Sequence, residues 1–102
     1  MVAIPNFEKV VKETKDGVVI FWAEGCGFSA AACELKGRLN KKDIKVYTRK
    51  VGHIGDDSRK AALGNKIRPL LPRSKQQNVT WPQVFYKGNY LGGYTDLVKK
   101  LC

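Results

Sequence analysis

Apolar positions along the chain switch between two periods, and each switch marks an element. In "FEKVVKETK", Phe7, Val10 and Val11 fall near helical spacing, which predicts a short leading helix. "GVVIFWA", Gly17 to Ala23, is β-branched and aromatic, lies between Gly17 and Gly25, and shows no polar alternation. A strand covered on both faces reads this way. "SAAACELKGRLNKK" returns to the helical period: Phe28, Ala32, Leu35 and Leu39 form one stripe, and Asn40 with the lysines after it marks the end. "DIKVYTRKV" then predicts a second strand. Strand, helix and strand in this order imply a right-handed parallel crossover.

The segment from Gly52 to Val79 is less regular. Asp56 or Asp57, with Ser58 nearby, can open a helix, while Gly64, Pro69 and Pro72 would break it, so a helix is expected from about 57 to 68, followed by a basic loop. "WPQVFYKGNYLGGYTDLVKKLC" predicts a strand, a "KGN" turn, a second short strand, and a last helix after Gly92 and Gly93. The economical packing is an α/β fold in which one four-stranded mixed sheet is flanked by helices, the thioredoxin-like arrangement. No repeat, low-complexity tract or linker interrupts it, so 1–102 is expected to be a single domain.

Composition adds a class and a charge. The chain is 43% hydrophobic and 27% charged, as ordinary globular domains are. No apolar run approaches the ~20 residues that span a bilayer, and the N-terminal sequence lacks the pattern of a secretory signal. The expected compartment is therefore the cytoplasm, with no membrane partner. Nineteen Lys and Arg against nine Asp and Glu leave a net charge of +10, which favours anionic partners. Three cysteines, at 26, 33 and 102, are an odd and scattered set, so a reactive thiol is expected rather than a disulfide-stapled scaffold.

The chemistry gathers at Cys26. A cysteine between a buried strand and a helix start faces unpaired N–H groups and the positive end of the helix dipole, which favour a thiolate and make it a nucleophile. Gly25 and Gly27 leave its flanks uncrowded. A lone cysteine beside an apolar run can also be an inert packing residue. Cys33 lies seven residues on, ~10.5 Å along a helix at 1.5 Å per residue, whereas a disulfide needs Cα atoms within ~7 Å. Cys33 is therefore expected to be a half-buried small residue, and Cys102 an exposed thiol at the chain end, with an intermolecular or regulatory bridge at Cys33 and a slow resolving role for either cysteine left as alternatives. His53 has no second histidine with which to build a metal site and is expected to be a solvent-facing loop residue.

"CGFS" at Cys26 to Ser29, together with the later "TWPQVFYKGNYLGGYTDL", resembles the glutaredoxins, and CGFS resembles the signature of their monothiol branch. The resemblance runs from Val18 onward. It implies Cys26 as nucleophile, Gly27 and Phe28 beside bound glutathione, and Thr80, Trp81 and Pro82 as the segment with the cis proline, whose preceding residue offers its backbone to the peptide. It further implies Gly92 and Gly93 beneath the ligand, and Tyr94, Thr95 and Asp96 at its γ-glutamyl end, where a helix start suits a carboxylate and Asp96 an ammonium.

The sequence departs from that pattern in three places. Ala23 stands where glutaredoxins usually carry a lysine for the glycyl carboxylate of glutathione, and Arg49, Lys50, Arg68, Arg73 and Lys75 are candidates to replace it. The strand reaches Cys26 through only "AEG", shorter than is usual beside CGFS, and Trp81 replaces an aliphatic residue. Two mechanisms fit one site. In the first, Cys26 takes glutathione from a mixed disulfide of a glutathionylated or disulfide-containing protein, and a second glutathione regenerates it. In the second, two Cys26 thiolates and two glutathione thiols hold a [2Fe–2S] cluster that bridges a homodimer. The alternative class is a basic, non-catalytic binding module. No nucleic-acid signature accompanies the charge, so nucleic acid is not the expected partner.

Overall fold

The structure is a computed structural model that describes residues 4–77 and 79–102. Met1–Ala3 and Asn78, which belong to the expected single domain, lie outside the described residues.

The leading helix, α1 (Phe7–Glu13), starts where the Asn6 side chain accepts the Lys9 amide N–H at 3.2 Å, and it buries Phe7 and Val11. Its two (i, i+4) ion pairs are exposed and contribute little. The apolar face carries the helix.

Four strands follow the expected order in the chain: β1 (Gly17–Glu24), β2 (Lys45–His53), β3 (Gln83–Tyr86) and β4 (Asn89–Gly92). They lie in the sheet as β2-β1-β3-β4, with β1 parallel to β2 and antiparallel to β3, and β3 antiparallel to β4. The sheet is mixed, as expected. β1 is flanked by a strand on each side and covered on both faces, which is why its sequence shows no polar alternation.

Its alternate residues supply two cores. Val19, Phe21 and Ala23 pack with Phe7, Leu63, Ile67 and Phe85 on one face. Val18 and Ile20 pack with Ala32, Leu39, Val84 and Leu97 on the other. The first face carries an aromatic chain in which Phe21 meets Phe7 edge-on at 4.8 Å and Phe85 at 5.9 Å.

The helix expected over Ser29 to Lys42 is two helices, α2 (Gly27–Glu34) and α3 (Lys36–Asn40), meeting at Leu35. The Leu35 N–H bonds to the Ala32 carbonyl at 3.2 Å, three residues back instead of four. That tighter turn interrupts the helix while both Leu35 and Leu39 stay buried. β2 begins at Lys45, later than expected, because Asp43 has φ 61°, a left-handed conformation that no strand can include.

The next helix, α4 (Asp57–Ile67), ends within a residue of the expected position, and it runs through Gly64, which is buried in it instead of breaking it. The basic loop after it contains two 3-10 turns, Arg68–Leu70 and Arg73–Lys75. The Gln76 side chain locks them by donating to the Arg68 and Leu71 carbonyls. Lys87 and Gly88, with φ 50° and 83°, form the two-residue turn of the β3–β4 hairpin, and α5 (Tyr94–Leu101) closes the described chain.

Gly17 opens β1 opposite Lys45, and a Cβ placed there would run into the Lys45 carbonyl oxygen. Gly17→Ala is expected to cost about 1–3 kcal/mol or more, because neither backbone can withdraw without breaking the β1–β2 ladder. The measurement is a urea titration, in which the midpoint falls at unchanged slope. A midpoint equal to wild type would show that the ladder yields there.

Candidate functional site

β1 reaches to Glu24, so a single residue, Gly25, separates the central strand from Cys26. Cys26 is the N-cap of α2, with φ −95° and ψ 119°, and its side chain makes no capping bond. The sulfur instead faces the loop before β3, where the half-buried thiol donates to the Trp81 carbonyl at 3.3 Å. The Trp81–Pro82 bond is cis, as the resemblance implied. A side chain at Gly27 would meet nothing within 4 Å, so the approach to the sulfur is open on that side.

Ser29, where a second thiol would stand in a C-x-x-C pair, is fully buried, and its Oγ accepts the Ala23 amide N–H at 3.1 Å. The bond ties the end of β1 to the first turn of α2. Burial pushes the Cys33 thiol up, with Lys36 opposing, and Cys102 is exposed at the chain end. All three thiols are free.

Two cavities meet at this point. The larger, about 440 Å³, brings together Phe28, Thr80, Trp81, Pro82, Gly93, Tyr94, Thr95 and Asp96, all drawn from separate expected motifs. The smaller, about 280 Å³, contains Cys26 and lies on the α4 side of it. Phe28, Thr80 and Trp81 border both, whereas Gly27 borders neither. Phe28 is 64% exposed, and its ring sits 6.1 Å from that of Tyr94.

At the far end of the larger cavity, the Asp96 carboxylate accepts the Gly93 N–H at 3.2 Å. Gly92 has φ 134°, and a Cβ there would collide with that carboxylate, so glycine is required. The amides of Tyr94 and Thr95 begin α5 and face no helical acceptor. A ligand carrying both a carboxylate and an ammonium finds complementary groups here.

Geometry sorts the basic candidates. Arg49 donates to its neighbour's carbonyl and lies over the Tyr47 ring, and Arg68 is held by the Gln76 carbonyl and the Asn65 side chain. Lys50 pairs with Glu24, whose carboxyl it holds below the usual range by hydrogen bonding and charge. Arg73 borders neither cavity, and Lys75 borders the larger one.

The sequence reading missed Lys60, on the first turns of α4, which borders the smaller cavity with Val51, Leu63 and Val79. Val79 adjoins the "TWP" motif and was the accessible signal; Lys60 and Leu63 share a helix face at (i, i+3) spacing, but nothing local aims that face at Cys26. His53 ends β2 rather than standing in a loop; it is exposed, and its Nδ1 accepts the Gly55 N–H at 3.0 Å.

Among the described residues no three His, Cys, Asp or Glu side chains gather as a metal site. A [2Fe–2S] cluster would find one ligand of its four in this chain, Cys26, and the donor set fits only as part of a shared site.

No family model matches the chain, and no curated protein matches it. Solved structures do. A dithiolic glutaredoxin of Trypanosoma brucei brucei superposes with a TM-score of 0.64 at 24% identity, over 95% of this chain and 87% of that one. A buckwheat glutaredoxin–glutathione complex gives 0.60 at 18% identity, over 91% and 76%. Reduced Escherichia coli glutaredoxin gives 0.59 at 22% identity, over 81% and 89%. At these identities the likeness is one of fold, and it matches the expected thioredoxin-like sheet.

Ser29→Ala leaves the buried Ala23 N–H without an acceptor and is expected to cost about 1–3 kcal/mol. Chemical denaturation reads this directly. An unchanged midpoint would mean that the strand end and helix start are held by other contacts.

Proposed function

We propose that the chain is a glutathione-dependent, monothiol thiol–disulfide oxidoreductase of the glutaredoxin type, acting on glutathione mixed disulfides through Cys26. The observation that carries this reading is the Cys26 thiol at 3.3 Å from the Trp81 carbonyl, at the junction of two cavities, with a buried serine in place of a resolving cysteine. Glutathione is a carboxylate-rich ligand, and the basic chain and the α5 start suit it. The buckwheat complex, whose fold this chain shares, supports it as the ligand.

In this reading glutathione lays its γ-glutamyl end in the larger cavity, with Asp96 towards the ammonium and the Tyr94 and Thr95 amides towards the α-carboxylate. Its cysteinyl residue runs beside Thr80 and Trp81, flanked by Phe28, with Pro82, Gly92 and Gly93 shaping the floor. The Trp81 carbonyl exchanges its bond to the Cys26 thiol for one to the peptide N–H. Cys26 loses its proton to solvent and attacks the glutathione sulfur of R–S–S–G, forming Cys26–S–S–G. The R thiolate leaves with the electron pair of the broken bond and is protonated by water. A second glutathione thiolate attacks the glutathione sulfur of this disulfide, releasing glutathione disulfide and restoring Cys26.

The partners are glutathionylated or disulfide-containing proteins. Residues 1–102 act as one such domain, and the cytoplasm, where glutathione is reduced, is the fitting compartment. A [2Fe–2S] cluster shared by two chains would occupy the same Cys26 sulfur, so it excludes the exchange reaction while bound.

Cys26→Ser is expected to lower the reduction rate of glutathione mixed disulfides by at least about a hundredfold, whereas Cys33→Ser and Cys102→Ser keep wild-type rates. The assay is glutathione-coupled reduction of hydroxyethyl disulfide. Full activity in Cys26→Ser would sink the proposal. Partner binding that survives the change and falls steeply with salt would instead mark a basic binding module. Lys75→Gln should raise KM by about two- to fivefold at unchanged kcat, the contribution of one exposed charge; an unchanged KM would remove Lys75 from ligand binding.

A further inference from the structure

The smaller cavity is not needed for the γ-glutamyl or cysteinyl parts of glutathione. It opens from Cys26 on the α4 side of Thr80 and Trp81, and those two residues border both cavities, so one ligand can span the pair. A peptide that runs along Thr80 and Trp81 with its γ-glutamyl end at Asp96 has one direction left for its third residue, past Val79 and into this cavity.

The walls there are mostly apolar, with His53, Asp56, Lys60 and Thr80 as the polar members. Ala23, 3% exposed, stands where the resembling sequences carry a lysine, and Val51, Leu63, Val79 and Trp81 surround the space it leaves. Ile54 borders the cavity while 49% exposed, an apolar side chain unused by the core. At about 280 Å³ the cavity is more than a glycine fills. One cation borders it, Lys60, which makes no ion pair among the described residues.

We infer that the thiol this site accepts best is a γ-glutamylcysteinyl tripeptide whose third residue is larger and more apolar than glycine. Its side chain fills the cavity bordered by Ala23, Leu63 and Val79, and its terminal carboxylate lies towards Lys60. This deepens the proposed function and rests on the pose given there. The electrons move as in that reaction: Cys26 attacks the peptide sulfur, the other thiolate leaves and takes a proton from water, and a second peptide thiol regenerates Cys26.

The test compares the hydroxyethyl mixed disulfides of γ-Glu-Cys-Gly and γ-Glu-Cys-Leu in single turnover, reading the Cys26–peptide adduct by quenched-flow mass spectrometry. Reaction of each with free cysteine corrects for intrinsic reactivity. Wild type is expected to react about tenfold faster with the leucine peptide, since each methylene in a fitting pocket is selective. Ala23→Leu, which narrows the cavity, should remove the preference between the two peptides, read as the ratio of their rates within the one variant. Ile54→Ser, at an exposed position that leaves the core intact, should reduce it.

Equal or slower reaction of the leucine peptide, with the glycine peptide reacting well, overturns this inference and leaves the proposed function standing. Failure of both peptides to exceed the Cys26→Ser background removes the proposed function and this inference together.

Discussion

The hydrogen bond from the Ala23 amide to Ser29 Oγ is the contact on which the site depends. It joins the last turn-free residues of the central strand to the first turn of α2, across the segment that contains Cys26. With the serine fully buried, no water competes for that acceptor, so the bond has the strength of a low-dielectric interaction. The position that a second thiol would occupy is thus filled by a group with a structural role. A free hydroxyl there would need another partner, and a sulfur would be a poorer acceptor. The anchoring of the site and the absence of a thiol at this position follow from one residue.

Because β1 is the inner strand, the anchor inherits the rigidity of both cores. Val19, Phe21 and Ala23 hold one face, Val18 and Ile20 the other, and β2 and β3 fix the edges. The same β3 connects through Gln83 to the Trp81–Pro82 loop, whose Thr80 carbonyl accepts the Gln83 amide at 2.6 Å. The Gln83 carbonyl oxygen accepts the Tyr90 hydroxyl at 2.8 Å, which links β4 to that loop. The sulfur and the Trp81 carbonyl are consequently held from opposite sides by neighbouring strands of one sheet. Loops carry the chemistry and the sheet sets their separation.

Much of this was legible in the sequence because burial leaves a local mark. A strand covered twice loses its alternation, so "GVVIFWA" announced the centre of the sheet, and Gly92 and Gly93 before "YTDL" announced the last helix. The tetrapeptide at Cys26 and the "TWP" segment located the two halves of the site. The break at Leu35 left no such mark, since Ala32, Leu35 and Leu39 keep the helical stripe through it. The late start of β2 depended on the backbone at Asp43, which no apolar pattern encodes. The smaller cavity was invisible for a different reason: Ala23, Val51, Lys60 and Val79 come from four separated segments, and only the tertiary structure places them around Cys26.

The charge was legible as a total and not as a distribution, and the distribution decides what it does. Two of the basic candidates for a ligand carboxylate, Lys50 and Arg68, are committed to Glu24 and to the Gln76 carbonyl respectively. Glu24 therefore acts on the strand end as a neutralised group and leaves little repulsion toward an incoming anion. Lys75 borders the larger cavity and Lys60 the smaller, and Thr80 and Trp81 border both. In the proposed pose, a ligand with an acidic group at each end and a thiol between them has Lys75 bordering the cavity at one end, Lys60 bordering the cavity at the other, and the Cys26 sulfur at its middle. Asp56 and Asp96 border the same two cavities, so the lining alternates in charge, and the proposed tripeptide thiol suits such a lining better than a polyanion of uniform charge does.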